Sequence, residues 1–413
     1  MKYQFPKITN ISEVLPAIAD YPEFVVAERP DDGWTIINYA VQMPNSFPTV
    51  KTVQLTNGDY TSEHIFETTE DYYAAIRYEC RGMIFDTATG NIIRRPLHKF
   101  KNVGEAEDTQ PHVIDLSQEH VCDSKIDGSM IAVFLNSNNE LVYGTKMCAP
   151  DFHDLVQNLV RNADNIQYEA FCHEQIANGF TPIFEFCSRE KRIVIDYGPT
   201  DQLILLAIRN IITGEYVSVS DMRIIAEKYN VPVVKTFDPI TDMNKFIEYV
   251  ADLEDIEGFV VRFATGHRVK IKTDQYVQIH KAKEAILWDR HIVDMILAST
   301  LDDVKAHLPD EDRIRIEQFE NDVVSRINTL AQDLHDRVID LKAREIDRKT
   351  FALGEANQVD PLTKSAVFSL FDGCTVAQAR EHVIKTISSK VSSNNSYDKI
   401  TENWFSGLVY NRY

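Results

Sequence analysis

The stretch VCDSKIDGSMIAVF, Val121 to Phe134, is apolar at both ends and carries Lys125, Asp127 and Gly128 in its middle. Taken alone it reads as a strand, a turn and a strand, with Lys125 at a corner. A K-x-D-G tetrapeptide arises by chance in roughly one chain in ten of this length at average composition. By itself it does not separate a solvated turn lysine from a reactive amine placed by the fold. The rest of the chain has to decide between them.

The 413 residues are enough for two or three domains with a sizeable core. With 44% hydrophobic and 26% charged residues, the profile is that of a soluble globular protein. The first residues, MKYQFPKITN, hold no apolar signal-like core, and the apolar run Leu203 to Ile208 is far short of a membrane span. No association with a membrane is expected. The six cysteines form no C-x-x-C pair, which excludes common zinc-ligand spacings and a dense disulfide framework. A reducing, cytoplasmic setting is therefore expected.

The formal net charge of −20 argues against an anionic partner when taken as an average. The cations are clustered, however: Arg94, Arg95, Lys99 and Lys101; then Arg189, Lys191 and Arg192; then Arg268, Lys270 and Lys272. A basic cleft on an acidic protein is compatible with this pattern, because the local field decides binding.

Three regions follow from the patterning. Residues 1 to about 114 read as α+β. The centre, about 115 to 278, is rich in strands. From about 282 to 413 the chain reads as helical throughout. RGMIFDTATGNIIRRP, MIAVFLNSNNELVYGTK and IEGFVVRFATGHRVKIK each read as a hairpin, and PIFEFCS, RIVIDY and QLILLAIRN as strands. MRIIAEKYN and MNKFIEYVADLED have helical periodicity, as does the long segment from Arg313 to Asp347.

Side chains alternate along a strand. In PIFEFCS, Phe184 and Phe186 share one face and Glu185 takes the other, toward solvent or into a cleft. In RVKIK, Val269 and Ile271 face one way and Lys270 and Lys272 the other. Two lysines on one face suit either a solvated sheet or a site for a polyanion such as triphosphate.

In order, the chain carries Lys-x-Asp-Gly, a Glu between aromatic residues, a Glu-Gly and a Lys-x-Lys. This order resembles the covalent nucleotidyltransferases, the polynucleotide ligases and capping enzymes. The likeness narrows. Those DNA ligases and capping enzymes carry Arg two positions after the glycine, where this chain has Met130. KIDGS is instead similar to the K-E-D-G-S of the T-even phage type ATP-dependent RNA ligases, the tRNA-repair type. ECRGMIFD, RPLHKFKN, FEFCSREKRIVI, VKIKTDQYV and DRKTFA resemble that family too, over nearly the whole chain. Ile126 departs from it, where the family often has Glu.

The resemblance implies an α+β fold: an ATP-grasp-like adenylyltransferase domain of antiparallel sheets and helices over 1–281, then an all-helical domain over 282–413 that sets RNA or tRNA preference. It implies a ligase that joins 5′-phosphate and 3′-OH RNA ends through lysyl-AMP and RNA-adenylate intermediates, repairing cleaved tRNA anticodon loops and acting as a monomer. ATP is the implied cofactor, with Mg²⁺ or Mn²⁺. Lys125 is the implied nucleophile. A lysine at its ordinary pKa of about 10.4 cannot attack at neutral pH, and Lys270 and Lys272 are the cations that the sequence offers to activate it. Glu185 and Glu257 suit ribose hydroxyls and the metal. Tyr39, Arg81, Lys99, Lys146 and Tyr276 match family positions around the nucleotide. Asp127 is expected to orient the loop, and Gly128 to let it turn tightly. A DNA ligase or GTP-using capping enzyme is the alternative within enzymes, and a non-catalytic RNA-binding protein the alternative outside them.

Overall fold

A computed structural model describes residues 4–43, 45–52, 66–391 and 393–410. The chain divides into two compact units, Met1–Tyr276 and Val277–Tyr413. The division falls within the helix Asp274–Ala285.

The described strands, in chain order, are β1 (Phe24–Arg29), β2 (Trp34–Tyr39), β3 (Arg81–Asp86), β4 (Ile92–Arg94), β5 (His120–Lys125), β6 (Ser129–Leu135), β7 (Leu141–Gly144), β8 (Phe180–Cys187), β9 (Gln202–Asn210), β10 (Thr236–Phe237), β11 (Gly258–Phe263) and β12 (Arg268–Lys272). All belong to the first unit. They form three four-stranded antiparallel sheets, ordered β1-β2-β3-β4, β10-β5-β11-β12 and β7-β6-β8-β9.

The three expected hairpins are β3-β4, β6-β7 and β11-β12, and each turn is closed by local chemistry. Asp86 Oδ1 accepts from the Thr89 amide at 2.7 Å, and Gly90 follows at φ +73°. Asn136 Oδ1 accepts from the amides of Asn138 and Glu140, both at 2.9 Å. The Gly266 amide donates to the Phe263 carbonyl at 2.9 Å. Side-chain caps and left-handed glycine are what turns of this kind require.

The segment RIVIDY is not a strand. Residues 192–197 run as a loop, because the Asp127 carboxylate takes the amides of Val194 and Ile195 that a sheet would have used. The first of the basic sequence clusters is structural in part, together with Arg209. Arg94 is fully buried and donates to the carbonyls of Gly82, Ala132, Gly144 and Thr145. Arg95 and Arg209 grip the buried Glu79 at 3.0 and 2.8 Å. These guanidiniums tie sheets together and do not face a cleft.

The second unit contains helices and no strand among its described residues. Its spine is the helix Asp310–Ala343, whose buried residues Ile316, Phe319, Val323, Ile327, Ala331, Leu334, Val338 and Leu341 recur every three or four positions. That stripe packs with Ala379, Val383 and Ile387 of the helix Val376–Ser388. The DRKTFA motif is architectural here. Asp347 caps the helix Arg348–Leu353 by accepting from the Thr350 amide at 2.7 Å, and Phe351 is buried against Phe368. Asp347→Ala is expected to lower stability by about 1 kcal/mol in denaturant titration while leaving the first unit's chemistry intact. No helix of the described residues is long and apolar enough to cross a membrane.

Candidate active site

Lys125 is the last residue of β5, and β6 begins at Ser129, so the lysine sits at the corner where one sheet passes into the next. Pairing across the middle sheet is in rows. Lys125 and Lys272 flank Gly258, Asp123 and Lys270 flank Val260, and Val121 and Arg268 flank Arg262. Partners in a row share a face, as do residues two apart in a strand. Lys125, Lys270, Lys272, Arg262 and Arg268 therefore stand on one face with Asp123, while Cys122, Val261 and Val269 are buried on the other.

Glu257, 4% exposed at its side chain, reconciles the row of lysines. Its Oε1 lies 2.7 Å from Lys125 Nζ and 3.1 Å from Lys272 Nζ. The sequence reading treated Lys270 and Lys272 as an equivalent pair, and the structure separates them. Lys272 is held by Glu257 and lies 4.7 Å from the Tyr276 ring centroid. Burial, with Lys99, Arg81 and Lys125 around it, pushes the Lys270 ammonium down to about 7.

This face closes one side of a cavity of about 440 Å³. Of the expected site residues, Arg81, Lys125, Lys146, Glu185, Glu257 and Tyr276 line it. Tyr39, Lys99, Lys270 and Lys272 flank that wall. Lys146 Nζ lies 5.0 Å over the Tyr39 ring, and Lys99 Nζ is 3.8 Å from Glu105. Burial holds both ammoniums below the ordinary lysine range; for Lys99, Glu105 opposes the shift. Arg81 opens β3, and its buried Nε has no hydrogen-bond partner among the described residues. An unmet buried donor is expensive.

Glu185 enters the cavity from β8, opposite Met130 of β6. Phe184 and Phe186 turn away into the core, as the alternation requires. Burial pushes the Glu185 carboxyl up to about 8; Lys125 pulls it down, Glu257 raises it, Arg81 lowers it and Asp127 raises it. The shift favours the protonated form, which can donate a hydrogen bond.

Asp127 is a fixed anchor. Its Oδ2 accepts from the amides of Val194 and Ile195 at 2.7 and 2.8 Å, its Oδ1 accepts from Tyr276 Oη at 2.7 Å, and its own amide donates to Tyr197 Oη at 2.8 Å. Every bond is spent on holding the corner, which leaves no role as a free base. Gly128 serves close approach rather than a tight turn: a Cβ there would lie 2.5 Å from the Phe186 carbonyl oxygen. Sequence reasoning missed Tyr197 and Arg268. The first was assigned to a strand that does not form, and the second was counted only as part of a basic cluster.

Two carboxylates, Glu185 and Glu257, border the space in front of Lys125. No group of three or more His, Cys, Asp or Glu side chains is gathered for a metal among the described residues. That inventory suits a cation such as Mg²⁺, which takes one or two carboxylates and completes its shell with phosphate oxygens and water.

Residues 79–276 match a family model described as RNA ligase, a span that contains every one of these site residues except Tyr39. The chain is 26% identical over 249 residues to a protein of Thermovibrio ammonificans named "Putative RNA ligase", covering 58% of this chain and 63% of that one. It is 28% identical over 261 residues to a protein of Autographa californica nuclear polyhedrosis virus named "Putative bifunctional polynucleotide kinase/RNA ligase", covering 59% and 36%. The chain thus spans less than two thirds of the length of these relatives. Among solved structures, an archaeal ATP-dependent RNA ligase aligns with a TM-score of 0.44 at 13% identity, over 73% of this chain and 74% of that one.

Proposed function

Taking as premise that residues 79–276 belong to the RNA ligase family, we propose that the protein is an ATP-dependent RNA ligase acting through Lys125. The supporting observation is the Lys125 ammonium, held at 2.7 Å by Glu257 in the wall of a cavity that also carries Arg81 and Lys146. Deprotonated Lys125 Nζ attacks the α-phosphorus of ATP. An N–P bond forms, the bond to the bridging oxygen breaks, and pyrophosphate leaves. The AMP group then passes to an RNA 5′-phosphate, and a 3′-OH displaces AMP to form the phosphodiester.

In this reading Arg81, Lys99 and Lys146 hold the outgoing phosphates. Lys270 and Lys272 face the α-phosphate and offset charge as it develops. Protonated Glu185 donates to a ribose oxygen or, ionised, joins Glu257 in holding a divalent cation. Such a cation supplies charge neutralisation and orientation of the triphosphate. Tyr276 and Tyr39 bound the nucleotide through the lysines that they contact. The helical unit contributes RNA preference, with cleaved tRNA anticodon loops as the substrate.

Incubation with a divalent cation and α-labelled ATP or GTP, followed by denaturing electrophoresis, tests the first step. Retained label from ATP supports the proposal, label from GTP alone would turn it to a capping enzyme, and no label sinks both. Sealing of single-stranded RNA, nicked RNA duplex and nicked DNA then separates RNA from DNA ligation.

The site also carries a pH signature. Below about 7 Lys270 is charged and adds to the attraction for triphosphate. As pH rises through that value the proton and the attraction are lost. Affinity for ATP, read by equilibrium binding from pH 6 to 9, is expected to fall on the order of tenfold, the worth of one charge-assisted contact. Lys270→Met should bind weakly throughout and lose most of that slope.

A further inference from the structure

Arg262 and Arg268 are cross-strand neighbours on β11 and β12, 5% and 3% exposed. Asp123 pairs with the first, 2.9 Å from Arg262 Nη2. Arg268 stacks 4.0 Å over the Tyr216 ring. Nε and Nη1 of Arg262, and Nε and Nη2 of Arg268, have no hydrogen-bond partner among the described residues. Two buried guanidiniums against one carboxylate leave a positive charge that the core does not neutralise, and four donors unmet. Such groups are strongly unfavourable unless a ligand completes them.

Both arginines are among the residues lining a second cavity, of about 570 Å³. Arg268 reaches the walls of both cavities, on the same sheet face as Lys270 and Lys272. The amino end of the helix Val219–Glu227 also contributes to its wall. Ser218 caps it by accepting from the Asp221 amide at 3.1 Å, Ser220 lies in its first turn, and exposed Arg223 stands one turn in. A helix amino end concentrates amide donors and partial positive charge. Glu119 and Glu215 also line the cavity, but both are exposed, so solvent and salt screen them more than the buried arginines.

We propose that this second cavity binds a phosphate group, held by Arg262, Arg268 and the amino end of the helix Val219–Glu227, with Arg223 at its mouth. The group is either a phosphodiester of an RNA strand or a free phosphate. The first source rests on the ligase reading, and the second does not.

Ser220→Glu and Arg223→Ala in the full chain test the site. Ser220 and Arg223 are exposed, and a glutamate in the first turn favours the helix, so both variants should fold. Affinity for inorganic phosphate, read as the phosphate-dependent rise in thermal midpoint at fixed ionic strength, is expected to fall about tenfold in each. Covalent labelling by ATP should persist. If the occupant is RNA, affinity for a labelled single-stranded oligoribonucleotide falls in parallel and its logarithmic salt dependence flattens by about one unit. If the occupant is a free anion, oligonucleotide affinity holds while the phosphate response is lost. Unchanged phosphate and oligonucleotide binding in both variants would overturn the proposal.

Discussion

Lys125→Met protein, incubated with α-labelled ATP and a divalent cation, is expected to carry no label after denaturation. Methionine keeps the stem of the side chain and removes the amine. Of the neighbouring lysines, Lys272 is engaged on Glu257 at 3.1 Å, Lys146 lies over the Tyr39 ring and Lys270 over the Phe100 ring. Loss of a nucleophile of this kind lowers rate on the order of 10⁴-fold or more. Stability should change little, because Lys125 is 21% exposed and Glu257 keeps its contact with Lys272. Label at the wild-type level in the variant would move the nucleophile to another residue. A variant that also fails to bind ATP would point to a charge role for Lys125 instead.

Gly258→Ala is the second large effect. Gly258 has φ +143°, and a Cβ there would lie 2.0 Å from the Ile271 carbonyl oxygen and 2.8 Å from Lys272 Cα. Both obstacles are backbone, so no side chain can move aside. The residue is central in the row Lys125, Gly258, Lys272, and directly follows Glu257. Relief requires β11 and β12 to part, which separates Glu257 from at least one lysine. We expect a loss of about 3 kcal/mol or more and a thermal midpoint lower on the order of 10 °C, with labelling by ATP reduced alongside. Gly104→Ala is the comparison. Its φ is +79° but its Cβ meets nothing within 4 Å, so it should lose only about 1 kcal/mol. Equal losses in the two variants would remove the steric explanation.

Much of this site was legible because strands have a period of two. Alternation alone put Lys270 and Lys272 on one face and turned Glu185 away from Phe184 and Phe186. The hairpins were legible because their turns are closed by residues next to each other in sequence, such as Asp86 with Thr89. The loop 192–197 was not. RIVIDY has the composition of a strand, and only a carboxylate 67 and 68 positions away, Asp127, withholds its amides from a sheet. Whether Glu185 met solvent or a cleft was also undecidable in one dimension, since either environment permits the same alternation.

By itself, the sequence determined which residue types recur at which spacing: the strand patterns, the long helical stripe of the second unit, and a lysine followed by Asp-Gly at a corner. These are local properties, set by backbone geometry and near neighbours. The charge balance of the site was decided only by tertiary structure. Glu257 between two ammoniums, Lys270 buried among cations, and Arg262 on Asp123 beside Arg268 over Tyr216 all join groups distant in the chain. Coulomb energy and desolvation depend on distance and burial, and neither quantity exists until the sheets are assembled.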